Sequence, residues 1–181
     1  MQNQYTPQPE ARGGVPVNEL DLDMVDLLSA PPLGTRGTAK AVPGQLSQDL
    51  ELSERAIHHA KRIVMESVCM WGYEELAFNV GLVVTELLTN VMQHANVPDR
   101  GAGKRARCVI QALPTGGCLV AAVHDDDPTM PQERPAATDA LDGRGLHLVR
   151  ELAHSVSFAP AQGGKDVVAV FSLDYDREEA A

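Results

Sequence analysis

The sequence predicts an α+β domain, a two-layer α/β sandwich with a mixed, mostly antiparallel sheet and its helices on one face. Three observations carry this. Ser53 to Trp71 and Glu74 to Ala95 repeat apolar residues every three or four positions. From Arg107 onward the period shortens, and runs rich in Val, Ile, Leu, Cys and Ala take over. Those runs are separated by turn signals, so neighbouring strands return as hairpins and share one sheet.

The elements follow in order. Residues 36–42 suit a short first strand. Ser53 can cap the first helix, whose apolar stripe is Ala56, Ala60, Ile63, Val64, Val68 and Trp71, and Gly72 stops it. The second helix carries Leu76, Val80, Val83, Val84, Leu87, Leu88 and Val91 on one stripe, and Asn96, Pro98 and Gly101 end it. Arg107 to Leu113 and Cys118 to His124 form a hairpin around Pro114-Thr115-Gly116-Gly117. An irregular run from Asp125 to Asp142 holds Pro128, Pro131 and Pro135, a length of loop that usually serves function. Gly145 to His154 is a short amphipathic helix, and Ser155–Ala159 and Asp166–Leu173 are two last strands turning at Gly163-Gly164.

Composition narrows the function. The chain has 181 residues, enough for one domain with a real core. Its 25 acidic residues exceed its 15 basic ones, for a net charge of -10, which argues against direct contact with nucleic acid. No apolar run approaches the roughly 20 residues of a membrane-crossing helix, and Met1-Gln2-Asn3-Gln4 has no signal character. Cys69, Cys108 and Cys118 show no metal-ligand spacing and are expected as reduced thiols. A cytoplasmic protein with no membrane partner is therefore expected. The acidity concentrates at the ends. Residues 1–34 form an acidic tail expected to be disordered or partner-binding, residues 35–173 the folded domain, and residues 174–181 a second acidic tail. Within the first tail, Leu20, Leu22, Met24, Val25, Leu27 and Leu28 alternate with Asp21, Asp23 and Asp26, a pattern able to fold on a partner or on its own domain.

Few residues stand out chemically. Glu86 and Asn90 lie four apart on a helix, so they share a face. A carboxylate can act as a general base, and an amide oxygen is a neutral ligand suited to Mg²⁺. Two polar residues on a solvated face are the plainer explanation of that pair taken alone. His94 lies one turn further along. Asp125 stands where an apolar strand runs out, placed either to accept a hydrogen bond from a ligand or to cap a turn. Gly143-Arg144-Gly145 opens a helix, where free N–H groups and the helix dipole favour phosphate.

Order and spacing join these pieces. ELLTNVMQHA at 86–95, VHD at 123–125 and GRGLHLV at 143–149 together resemble the GHKL (Bergerat-fold) ATP-binding domains. The likeness is greatest to the small bacterial anti-sigma-factor serine/threonine kinases and covers about residues 45–173. The resemblance implies ATP and Mg²⁺ as cofactors. Asn90 is then the Mg²⁺ ligand, Glu86 the catalytic base, and Asp125 the acceptor of the adenine amino group. Gly143, Arg144, Gly145 and Leu146 line the nucleotide, and residues 129–142 form a lid. The implied partners are a sigma factor, an anti-anti-sigma protein, or both, with a homodimer possible.

One departure qualifies this. The family's Asp-x-Gly-x-Gly box reads Asp125-Asp126-Asp127-Pro128-Thr129 here, without either glycine. Asp127 in a glycine's place is expected to repel ATP phosphates. Two functions follow: a protein serine/threonine kinase acting on an anti-anti-sigma partner, or a non-catalytic nucleotide-binding module that sequesters a transcription regulator. A sensor histidine kinase is disfavoured, since only one helix precedes the Glu86 helix and His58-His59 read as surface residues.

Overall fold

A computed structural model describes residues 38–96, 103–130 and 144–173. Both acidic tails, most of the expected lid, and Gly143 lie outside the described residues, as does the side chain of Arg144. Six strands form one sheet: β1 (Thr38–Val42), β2 (Gln45–Glu51), β3 (Arg105–Leu113), β4 (Cys118–Asp125), β5 (Ser155–Ala161) and β6 (Gly164–Ser172). Three helices accompany them: α1 (Glu54–Met70), α2 (Glu74–His94) and α3 (Arg144–Leu152). The strand order is β1-β2-β3-β4-β6-β5.

All five pairings are antiparallel, which corrects the expected mixed sheet. The cause is the route after β4. The chain crosses through α3 to the far edge as β5, then returns by a hairpin to place β6 beside β4. Strands β4 and β5 are thus parallel in direction but never touch. A second difference is β2, absent from the reading of the sequence. Its inward positions are Leu46, Gln48 and Leu50, so a buried glutamine interrupts the apolar alternation that would mark a strand.

Local chemistry sets the helix ends. The Ser53 hydroxyl accepts a hydrogen bond from the Ala56 N–H at 3.2 Å, and Gly72 at φ +85° turns the chain out of α1. Helix α2 starts without a side-chain cap but has Glu74 and Glu75 in its first turn, where the dipole favours them. Near its other end the Lys104 ammonium donates to the Met92 carbonyl at 2.8 Å.

Helix α2 is the centre of the core. It buries Ala77, Val80, Val83, Val84, Leu87, Leu88 and Val91 between α1 and the inner face of the sheet. Gly81 permits the close approach to α1, because a Cβ there would fall 2.6 Å from Met65 Cγ. By length and composition α2 could cross a membrane, contrary to the expectation that no stretch qualifies. Here its apolar stripe faces the domain's own core. On the sheet, Ala106, Cys108, Ile110, Leu119, Ala121, Val123, Val167, Ala169 and Phe171 point toward the helices. Alternate residues point away.

Candidate nucleotide-binding site

Helix packing builds the first half of the site. Burial of Leu87, Leu88 and Val91 fixes how α2 rotates, and that leaves Glu86 and Asn90 half-buried on the flank facing α3. Gly145 sits opposite, in the first turn of α3. A Cβ on Gly145 would lie 2.7 Å from Glu86 Oε2 and 3.6 Å from Asn90 Oδ1. Three residues that are 4 and 55 positions apart in sequence therefore meet at one point. The Asn90 amide nitrogen is buried and has no hydrogen-bond partner among the described residues. A buried polar group left this way is costly unless a ligand satisfies it.

The buried Nδ2 of Asn90 is a donor and fits an acceptor such as a phosphate oxygen, while the Oδ1 of the same amide is the atom able to face Mg²⁺. Among the described residues no three His, Cys, Asp or Glu side chains come together to cage a metal. A single amide ligand suits Mg²⁺, which keeps waters and phosphate oxygens as its other ligands. Asn90 would hold the ion through Oδ1, and Mg²⁺ held there would supply positive charge against phosphate. The missing Cβ at Gly145 leaves room for the Glu86 carboxylate against the first turn of α3.

The second half lies where β4 ends. Asp125 shares the inward face with Leu119, Ala121 and Val123, and it is only 2% exposed. Its Oδ1 accepts from Lys165 Nζ at 2.9 Å and from the Asp127 N–H at 2.8 Å. Lys165 is also buried and donates to the Asp127 carbonyl at 2.8 Å. Across the ladder, Gly164 leaves no room for any side chain, since a Cβ would fall on the Asp125 carbonyl oxygen. Asp125 is thus held rigidly through one oxygen.

Asp127 stands beside this pair. Its Oδ2 accepts from the Asn96 N–H at 2.8 Å, and its Oδ1 accepts from the Thr129 N–H at 2.9 Å. Burial works to raise its pKa, but the Asn96 and Thr129 donors and the Lys165 charge prevail, and it is lowered to about 2. The carboxylate is committed to joining the end of α2 to the loop after β4. Both of its oxygens thus accept from backbone N–H groups, an engagement the sequence did not show.

The remaining expected residues are distributed as follows. Leu146 is half-buried and packs against the core. His94 is exposed near the end of α2, and His58 and His59 are exposed on α1. Thr129 and Met130 are the only described residues of the expected lid. Sequence reasoning missed Lys165, Asn96 and Gly164. Lys165 had a visible signal, because it alternates inward with Val167, Ala169 and Phe171, and a lysine at such a position needs a partner.

Residues 47–171 match the model of the histidine kinase-like ATPase domain family. Similar solved structures include the blue-light activated histidine kinase EL346 of Erythrobacter litoralis, at 26% identity and a TM-score of 0.45. That match takes in 58% of this chain and 33% of the other. The histidine kinase domain of the same protein matches at 26% identity and a TM-score of 0.39, covering 55% of this chain and 46% of that one. No curated protein matches. With the family model spanning most of the described fold and its Glu86–Asn90–Gly145 junction, the chain belongs to the histidine kinase-like ATPase domain family.

Proposed function

We infer that this protein binds Mg·ATP and transfers the γ-phosphoryl group to a serine or threonine of a protein partner. The observation that carries the reading is the Glu86 carboxylate at Gly145, one helical turn from the unpartnered Asn90 amide. In such a transfer positioning and charge dominate over covalent chemistry. Glu86 holds a proton acceptor beside the α3 N-terminus, suited to take the proton of an attacking hydroxyl. Asp125, fixed by Lys165 through Oδ1, offers its other oxygen to the exocyclic amine of adenine. The partner class is an anti-anti-sigma protein, with a sigma factor as the sequestered target, and the setting is the cytoplasm. These assignments rest on the resemblance of the Glu86–Ala95 box to the anti-sigma kinases.

A second reading has its own support. The Asp127 clasp and the missing glycines stiffen the loop after β4, which favours a module that holds nucleotide and a regulator without phosphotransfer. Incubating the full chain with labelled ATP and a candidate anti-anti-sigma partner separates the two. Kinase activity predicts label on the partner and a loss of about 10²–10⁴-fold in rate for Glu86→Ala with ATP binding retained. Nucleotide binding without any transfer to partner favours the module.

A further inference from the structure

The outer face of the sheet is apolar at its centre. Val109, Cys118, Val120, Ala122 and Val170 form a second cluster there, separate from the core beneath the helices, with Leu113 and Val168 beside them. They are 2–6% exposed. All three described helices pack on the opposite face, so no described element covers this one. Antiparallel sheets with one open face alternate apolar and polar residues, whereas Cys118 to Val123 is apolar throughout, the pattern of a strand buried on both sides. A row of polar groups borders the cluster. Asp49 pairs with Arg107 at 2.7 Å and His124 with Asp166 at 2.6 Å, and Arg107 and His124 are register neighbours.

We propose that residues 17–30 of the same chain form a third layer over this face. Five of their apolar residues, Val17, Leu20, Met24, Leu27 and Leu28, fall at helical spacing on one stripe, with Glu19, Asp23 and Asp26 off it and Asp21 at its border. The connection is long enough. Seven residues separate Ala30 from Thr38, where β1 begins at the sheet edge, and the eight Cα steps between the two reach about 27 Å when extended. The cluster on β3, β4 and β6 lies two to four strand spacings away, roughly 10–19 Å. The other stretches outside the described residues hold too little apolar surface. Residues 97–102, 131–143 and 174–181 offer Val97, Leu141 and Tyr175 as their large apolar side chains. A segment docked this way lies behind β4, the strand that ends at Asp125, and a protein competing for its apolar stripe could lift it from the sheet.

The chain carries a probe for this. Cys118 lies on the outer face, and Cys108 lies in the core on the other. Labelling of the full chain with a maleimide, resolved by peptide mass spectrometry, reads the ratio of Cys118 to Cys108 modification. Leu20→Asp with Leu27→Asp is expected to raise Cys118 labelling at least tenfold while Cys108 stays protected. A synthetic peptide of residues 17–30 should slow it again. If the double variant also exposes Cys108, Leu20→Ala decides by the same ratio. Unchanged Cys118 labelling overturns the proposal. So does a wild-type rate that rises on dilution, which would make a second copy of the chain the cover.

Discussion

At the residue scale the site depends on carboxylates that are spoken for. Asp127 accepts from Asn96 and Thr129, and its lowered pKa gives its contribution a definite pH window. A depressed carboxylate stabilises the fold above its unfolded pKa, near 3.9, and loses that contribution as pH falls through the folded value of about 2. Asp127→Asn is expected to cost about 1–3 kcal/mol near neutral pH, since an amide cannot accept at both ends and a buried donor is left unsatisfied. Urea unfolding at pH 7 and pH 2.5 checks this, and the gap between variant and wild type should narrow at the lower pH. His124 has the opposite sign. Its hydrogen bond to Asp166 raises its pKa, burial opposes this, and the nearby Asp charges add to the rise, so its contribution fades as pH increases.

Lys165 and Asp125 form the other committed pair, and they change how the site should be probed. Removing one member leaves a buried charge uncompensated, at about 3–5 kcal/mol. Lys165→Met is therefore expected to lower unfolding stability by that order, measurable in urea. Asp125→Ala would strand Lys165 in the same way and confuse a loss of fold with a loss of adenine binding. Asp125→Asn keeps the size and an acceptor oxygen facing Lys165 but still removes its counter-charge, so urea unfolding of this variant accompanies the measurement of ATP binding.

At the element scale, α1 and α2 were readable from the sequence because period and caps agree on them. Observed ends fall within about two residues of Ser53, Gly72, Glu74 and Ala95. Strand β2 was not readable, since Gln48 takes an inward position that only the packed sheet can justify. The Glu86–Asn90 pair was visible as an i, i+4 spacing, but its meeting with Gly145 arises from how α3 packs on α2, which no local pattern encodes. The clasp made by Asp127 was hidden for a similar reason. Its partner Asn96 lies 31 residues away, and spacing alone could not show that the carboxylate was already bound.

That helix–helix contact yields a prediction with a built-in control. Gly145→Ala places a methyl where the Glu86 carboxylate now sits, and the flexible end of Glu86 must swing aside. Alanine is the better helix former by up to about 1 kcal/mol, so thermal stability should hold or rise. Misplacing a reacting group by about 1 Å can cost 10²-fold, and phosphotransfer or ATP hydrolysis is expected to fall by about 10- to 100-fold. Melting curves and turnover measured on one preparation test both halves. A stability loss with turnover intact would mean Glu86 is not poised for chemistry.

At the scale of the whole molecule, the fold acts as a frame that brings three distant segments to one edge. The second half of α2 supplies Glu86 and Asn90, the end of β4 supplies Asp125, and the start of α3 supplies Gly145. The Asn96–Asp127 bond and the Lys165 bonds tie the first two together, so the candidate site is preorganised on its Asp125 side. Isothermal titration calorimetry of the full chain with ATP and GTP, with and without Mg²⁺, tests this most directly when repeated on Asn90→Ala and Asp125→Asn. The account predicts Mg²⁺-dependent binding of ATP in preference to GTP, loss of the Mg²⁺-dependent part in Asn90→Ala, and weakened ATP binding in Asp125→Asn. Unchanged ATP affinity in both variants would contradict it.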